Sequence, residues 1–457
     1  MDYRSIDPSS GALLAERPAH RRDEVEGLLA DAEIAYGTWR TRRVDVRADL
    51  LDRFAGVLER DVDRLALLVT SEMGKPLAQA RAEVLKCVDG ARYYAQHAER
   101  LLAPRPVEGL GGLRDYVRFD PIGTVLAIMP WNFPMWQSIR MIAPVLAGGN
   151  TLLLKSAPNT MGTGEAIVEA LREAGMPDAV VQTLRAEPDV IGEVIADARV
   201  QGVSFTGSTR GGRAVASIAG ANGKRSVLEL GGSDPFVVLD DADAELAGRT
   251  AADARLINCG QSCVSAKRFV VDRRIADDFT HAMASRITEH VVGDPRDPAT
   301  TVGPMARDDL RDEIERQVDR SVSAGAGVVV PGGRIDGPGY FFAPTLLTGV
   351  TRAHAVGDEE TFGPAGAIIV VDGPDAAVDA ANDTEYGLGA TIWSGDVERA
   401  EAVAARIDAG VISINTINAS DVRMPFGGVK ASGYGRELGE EGIREFVNVK
   451  GVRVART

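Results

Sequence analysis

Three residues stand in contexts that suit covalent acyl chemistry. Cys263 closes the segment Gly260-Gln261-Ser262-Cys263 behind a helical stretch. A thiolate is intrinsically nucleophilic and needs only modest activation to attack a carbonyl carbon. Glu229 sits in Leu228-Glu229-Leu230-Gly231-Gly232-Ser233, at the end of an apolar strand and ahead of two glycines. Partial desolvation there raises a carboxyl pKa toward neutrality, which suits a general base. Asn132 is clamped between prolines in Pro130-Trp131-Asn132-Phe133-Pro134, so its amide is fixed in position to donate to an oxyanion. Each residue also has a plain structural reading. The cysteine could be a buried small hydrophobe, the glutamate a strand-end carboxylate satisfied by glycine amides, and the asparagine part of a turn. Cys87 and Cys259 lack such context and read as buried hydrophobes. If the segment from Cys259 to Cys263 is helical, their Cα atoms approach the ~6 Å that a disulfide tolerates, which gives a peroxide-sensitive pair.

Two further segments suit ligands. Phe205-Thr206-Gly207-Ser208-Thr209-Arg210-Gly211-Gly212 follows a buried strand and opens a helix. Gly207 permits close backbone approach, Ser208 can cap the helix, and a pyrophosphate is favoured by the free amides at such a start. The spacing is not G-x-G-x-x-G, so on its own it is a weak nucleotide signal. If a helix starts at Pro134, Trp136 and Arg140 share one face. An aromatic wall with a guanidinium one turn further suits an aldehyde carrying a distal carboxylate; a helix arginine paired to a neighbouring acid is the alternative.

The elements that must position these residues are α/β in character. Helical periodicity over residues 30–51 and 65–101, the latter broken at Gly74-Lys75-Pro76, precedes a turn-rich excursion from Ala103-Pro104-Arg105-Pro106 through the glycines up to Gly112. A strand at Tyr116-Val117-Arg118-Phe119 ends it. From Gly123 short apolar runs at 125–129, 151–154, 180–184 and 203–205 alternate with helical stretches such as 164–173. The alternation begins again after Gly231, with strands at 236–239, 269–271, 328–330, 367–371, 390–393 and 411–414, and helices over 275–291, 307–324 and 397–407. This predicts two α/β bodies in series, each a mostly parallel sheet with helices on both faces. Residues 446–454 alternate apolar and polar and read as a last strand.

Composition agrees. The 457 residues carry 66 acidic against 51 basic side chains, a net charge of −15, with no basic patch to draw a phosphate backbone, so nucleic acid is not an expected partner. No apolar run approaches the ~18 residues of a membrane span. Three cysteines cannot form a disulfide framework, and the start of the chain has no export signal, which together predict a cytoplasmic protein.

The segments 130–132, 205–212, 229–232, 260–263, 360–364 and 425–437, with thiol and carboxylate 34 positions apart (263 − 229), resemble the aldehyde dehydrogenase superfamily in order and spacing. Trp136, Arg140 and Ala419-Ser420-Asp421 resemble its short bacterial succinate-semialdehyde dehydrogenases. The resemblance implies two Rossmann-like domains with a small β oligomerisation element. Residues 1–102 and 122–230 would bind the cofactor, 231–437 would carry catalysis, and 103–121 with 438–457 would form the element, in a homodimer or homotetramer. It implies Cys263 as nucleophile, Asn132 with the Cys263 amide as oxyanion hole, and Glu229 as the base that activates water against the thioester. Trp131, Lys155, Gly207, Ser208, Gly231, Glu360 and Phe362 would hold the dinucleotide, and Trp136, Arg140 and Ser420 a carboxylated aldehyde. No metal is implied. NAD-preferring members carry a glutamate where this chain has Pro158, which leaves Lys155 and Ser156 free to meet a 2′-phosphate; NADP is expected, with NAD use open. The alternatives are another small aldehyde, or a CoA-acylating semialdehyde dehydrogenase, a type that usually lacks the base at the Glu229 position.

Overall fold

Runs of Val, Leu and Ile too short for helices and apolar on both faces condense into two parallel sheets, as the alternation predicts. The computed structural model of the chain describes residues 2–109 and 113–455. The glycines Gly111 and Gly112 of the excursion, and the last two residues of the tail, lie outside the described residues. The first sheet has six strands in the order Gly433–Tyr434, Arg225–Glu229, Val200–Thr206, Thr124–Ile128, Thr151–Lys155, Val181–Thr183. All neighbours are parallel except the short edge strand Gly433–Tyr434. The second has seven, in the order Gly327–Val330, Thr345–Thr348, Ala365–Val371, Ala266–Asp272, Asp234–Val238, Gly389–Trp393, Val411–Ile414, antiparallel only at Gly327–Val330. A chain read as leaving the first body after Gly231 therefore returns to it at Gly433, ahead of residue 437.

Strand order locates the site. In the first sheet the chain moves from Thr124–Ile128 outward to Val181–Thr183, then jumps back to Val200–Thr206 on the other side. At such a switch the loops beyond the strand ends diverge and leave a crevice. Those loops are Pro130-Trp131-Asn132 and Gly207-Ser208.

The structure corrects the N-terminal reading. An antiparallel hairpin, Asp2–Ile6 with Leu13–Pro18, precedes the helices. Residues 30–51 are not one helix. Arg22–Trp39 ends where the Thr38 and Thr41 hydroxyls donate back to the carbonyls of Ala35 and Thr38, offering the backbone an exit from the helix, and Val44–Arg60 starts anew. The break after Val62–Met73 is as expected: Gly74 adopts φ 79° as a left-handed cap before Leu77–Leu101. The excursion strand Arg114–Pro121 pairs with Arg105–Pro106 and, antiparallel, with the terminal strand Val447–Val454. Among the described residues no helix is long and apolar enough to cross a membrane, and no His/Cys/Asp/Glu group is placed to hold a metal ion.

Candidate active site

Cys263 is delivered by a strained turn, not by a helix. Helix Ala244–Leu256 ends, and Asn258, Cys259 and Gly260 take positive φ values of 54°, 56° and 71°. Gly260 is needed there: a Cβ would lie 2.3 Å from the Gly363 carbonyl oxygen. The cost of two left-handed non-glycine residues is offset by a buried guanidinium. Arg255 donates to the carbonyls of Gly260 (2.7 Å), Ala266 (3.0 Å), Thr361 (3.3 Å) and Gly363, tying the turn to the 361–363 segment. The helical premise for a Cys259–Cys263 disulfide therefore fails. The Cys259 thiol is buried, 3.8 Å from the Met305 sulfur, and burial pushes it up to about 12.

The same turn fixes the amide of Asn132. The Asn258 side chain donates to the Asn132 carbonyl (2.8 Å) and the Gln261 carbonyl (3.1 Å), and Asn132 Nδ2 donates to the latter at 3.1 Å. One N–H of the amide is thus spent on holding the loop, and the other remains to donate. Cys263 itself is half-buried. Burial pushes its thiol up to about 12, while the Arg140 and Lys267 charges pull the other way.

Glu229 ends strand Arg225–Glu229, almost fully buried, and neither carboxylate oxygen has a hydrogen-bond partner. An ionised carboxylate is poorly tolerated there. Burial, and then the charge of Glu437, hold it well above the ordinary carboxyl range; Arg140 and Arg436 oppose this. The expected elevation is present, with a cause the local sequence did not show: Glu437 comes from the far end of the chain. Glu437 is buried against Arg140 in an ion pair and accepts from the Ser204 hydroxyl at 3.3 Å. Arg140 is therefore paired to an acid, as the alternative reading of that helix allowed, while its Nη2 keeps no hydrogen-bond partner.

Two cavities meet at the thiol. The front one, about 380 Å³, is lined by Lys86, Trp136, Arg140, Cys263, Ser420 and Phe426 among others. The rear one, about 370 Å³, is lined by Trp131, Asn132, Gly207, Ser208, Glu229, Gly231, Cys263, Glu360 and Phe362 together with their neighbours. Cys263 and Gln137 line both.

The front wall is the buried helix Pro134–Ala147. Its first free amides, Met135 and Trp136, donate to Glu83 Oε1 at 3.0 Å each; Glu83 is paired with buried Lys75, whose ammonium lies 3.7 Å from the Phe133 ring centroid. Trp136 and Arg140 do share the cavity face. Gly90 makes room for the indole, since a Cβ would meet the ring at 2.9 Å. Ser420 Oγ accepts from Trp136 Nε1 (3.1 Å) and from Lys86 Nζ (2.9 Å). Sequence reasoning missed Lys86, because a lone lysine on helix Leu77–Leu101 has no motif and reads as a solvated face.

The rear cavity opens at a helix start that suits a pyrophosphate. Ser208 caps helix Thr209–Ala221, accepting from the Gly211 amide at 3.2 Å. Side chains at Gly207 and Gly231 would fill the cradle: a Cβ at Gly207 meets the Phe205 ring at 2.8 Å, and one at Gly231 meets Glu360 Oε2 at 2.5 Å. Glu360 Oε1 accepts from the Gly232 amide and from Lys267 Nζ, both at 3.0 Å. Lys267, fully buried and missed in the sequence, also donates to the Cys263 carbonyl at 2.9 Å, so one ammonium ties the Cys263 backbone to the Glu360 carboxylate. Trp131 and Phe362 meet edge-on, centroids 5.7 Å apart. Lys155 and Pro158 are not among the residues lining this cavity; Lys155 ends the adjacent strand Thr151–Lys155 and Pro158 opens the turn after it, with Lys155 Nζ 5.7 Å from the Tyr3 ring centroid. Burial lowers Lys155 to about 8, and the Glu187 charge acts against this.

A cysteine where two cavities meet, one walled by Trp136 and Arg140 and the other opening at a capped, glycine-lined helix start, suits covalent chemistry beside a bound nucleotide. The aldehyde dehydrogenase family matches residues 1–452, and the chain belongs to that family. It is 42% identical over 448 residues to the succinate semialdehyde dehydrogenase [NAD(P)+] Sad of Escherichia coli, covering 98% of this chain and 97% of that one. It is also 42% identical to succinate-semialdehyde dehydrogenase [NADP(+)] 1 of Mycobacterium tuberculosis over the full length of both. A crystal structure of succinic semialdehyde dehydrogenase from Streptococcus pyogenes in complex with NADP+ superposes with a TM-score of 0.97 at 38% identity, covering 99% of this chain and 100% of that one.

Proposed function

We propose that this aldehyde dehydrogenase oxidises succinate semialdehyde, or a similarly short carboxylated aldehyde, to the acid with NADP, and with NAD as an alternative cofactor. The observation that carries the reading is Cys263 at the junction of the two cavities, with Asn132 and Glu229 beside it on the rear side. Cys263 Sγ, its proton released to solvent, attacks the aldehyde carbon as a thiolate, and the oxyanion that forms as the carbonyl π bond opens accepts from the free N–H of Asn132 and from the Cys263 amide. A bound nicotinamide supplies the hydride acceptor. The hydride departs from the substrate carbon to leave a thioester on Cys263, and Glu229 takes a proton from the water that hydrolyses it. Glu229 suits this task because its raised pKa makes it a stronger base than an exposed carboxylate once deprotonated.

Hydrolysis is favoured over transfer to CoA by the presence of Glu229. The substrate's distal carboxylate is assigned to the end of the front cavity, near Arg140 and Ser420. The terminal strand Val447–Val454 stands at an edge of its sheet, and a copy of the chain that covers it would give a homodimer or homotetramer. A cytoplasmic location suits a chemistry that needs Cys263 as a free thiol. Reduction of NADP and of NAD, measured with succinate semialdehyde and with butanal in the presence and absence of CoA, tests the reading. A rate that rises with CoA and yields acyl-CoA would assign the acylating reaction instead, and no oxidation of the semialdehyde would remove the substrate.

A further inference from the structure

The front cavity contains a cation that no motif announced. Lys86 reaches it from helix Leu77–Leu101, half-buried, with Nζ 2.9 Å from Ser420 Oγ and 4.6 Å from the Trp136 ring centroid. Among the described residues no carboxylate lies within ion-pair distance of Lys86. Arg140, the other cation lining the cavity, is already balanced by Glu437. An ammonium partly withdrawn from water, held by a serine hydroxyl and an indole face, is costly to keep without an anion. Ser420 Oγ accepts from both Lys86 and Trp136, so its own proton is left to point elsewhere.

We propose that Lys86 is the charge-bearing residue of the carboxylate receptor, pairing with the far end of a short aldehyde-acid whose carboxylate also accepts from the Ser420 hydroxyl. This rests on the carboxylated-aldehyde reading above and adds which residue supplies a charge with no ion-pair partner among the described residues. Arg140 contributes donors there, but its pair with Glu437 leaves little net charge. The charges that act on Lys86 are Arg140 on the facing helix, Asp421 on the Ser420 loop, and Glu83 on its own helix, where the Cys87 thiol is kept neutral by burial; burial of Lys86 comes first and lowers it to about 8. Lys86 is therefore the group whose charge is lost as pH rises past that value, and with it the attraction for a carboxylate.

The test compares kcat/KM for succinate semialdehyde and for butanal in wild type, Lys86→Met and Lys86→Arg. The expected result is a semialdehyde-to-butanal ratio that falls about tenfold or more in the methionine variant and is largely restored by arginine. In wild type, KM for the semialdehyde should rise above about pH 8 while that for butanal does not follow it. This arm needs no variant to fold. A wild type that prefers the semialdehyde, with a ratio unchanged in Lys86→Met, overturns the role of Lys86 and leaves the substrate reading standing. A wild type with no preference overturns the substrate reading and the receptor with it. A ratio restored by no cation, with both substrates impaired alike, makes Lys86 a packing residue only.

Discussion

Arg140→Leu separates the pairing of this arginine with Glu437 from its proposed role as a donor to the substrate's carboxylate. Its guanidinium is buried against the carboxylate of Glu437, the two side chains 3% and 0% exposed. Removing one partner of such a pair leaves a bare charge in a low-dielectric site, which costs about 3–5 kcal/mol. Glu437 would retain only the Ser204 hydroxyl at 3.3 Å. Leucine keeps the helix propensity and much of the stem, so the loss is electrostatic first. The variant should unfold at a clearly lower urea concentration than wild type. Adding Glu437→Gln removes the stranded charge and should recover most of that stability. The donor role behaves differently. A charge-assisted hydrogen bond to the substrate contributes about 1.5–3 kcal/mol, roughly ten- to over a hundredfold in kcat/KM. That loss should fall on succinate semialdehyde, spare butanal, and persist in the double variant. Urea midpoints and kcat/KM for both substrates across wild type, the two single variants and the double form a complete cycle. If the double variant regains the semialdehyde preference, Arg140 serves only the ion pair. If Arg140→Leu unfolds where wild type does, the buried pair is not a source of stability and the charge argument fails.

Glu229→Gln should acylate but not deacylate, giving a burst of reduced cofactor followed by slow turnover; unchanged turnover without a burst would remove Glu229 as the base. The pKa of Glu229 is raised by burial and by Glu437, so its deprotonated fraction grows as pH rises above neutrality, and hydrolysis-limited turnover should grow with it. Glu437→Gln removes the like charge and frees Arg140 to act on Glu229. The alkaline rise should then move to lower pH, and a profile that stays in place or moves up would contradict the coupling. At the adenosine end, Pro158→Glu adds a carboxylate near Lys155 that repels a 2′-phosphate. The ratio of kcat/KM for NADP over NAD should fall; an unchanged ratio places the discrimination elsewhere.

The legible part of this protein was local. Strand–helix alternation gave both sheets because a buried parallel strand must be apolar on both faces, whatever lies beside it. Cys263, Glu229 and Asn132 stand out as candidates because each sits in a short segment whose glycines, prolines and leucines restrict the backbone. What the sequence concealed depends on pairings between distant segments. The hairpin of residues 2–18 was missed because its second strand, Leu13–Pro18, is largely exposed and lacks the alternation that marks a half-buried strand. Thr345–Thr348 has only two apolar residues between its threonines, too few to stand out from its loop. Lys86, Lys267 and Arg255 lie on ordinary helices and strands, where a basic residue reads as solvated.

Those concealed residues set the site's electrostatics. The carboxyl of Glu229 is tuned by Glu437, which reaches it only because strand Gly433–Tyr434 pairs back onto Arg225–Glu229. The strained turn that presents Cys263 persists because Arg255 binds four carbonyls drawn from three separate segments. A relative that kept every recognisable motif but lost Arg255 would still match the family, yet its Cys263 turn would lose the guanidinium that ties it to the 361–363 segment. The motifs therefore identify the reaction, and the buried charges that hold them determine the conditions under which it runs.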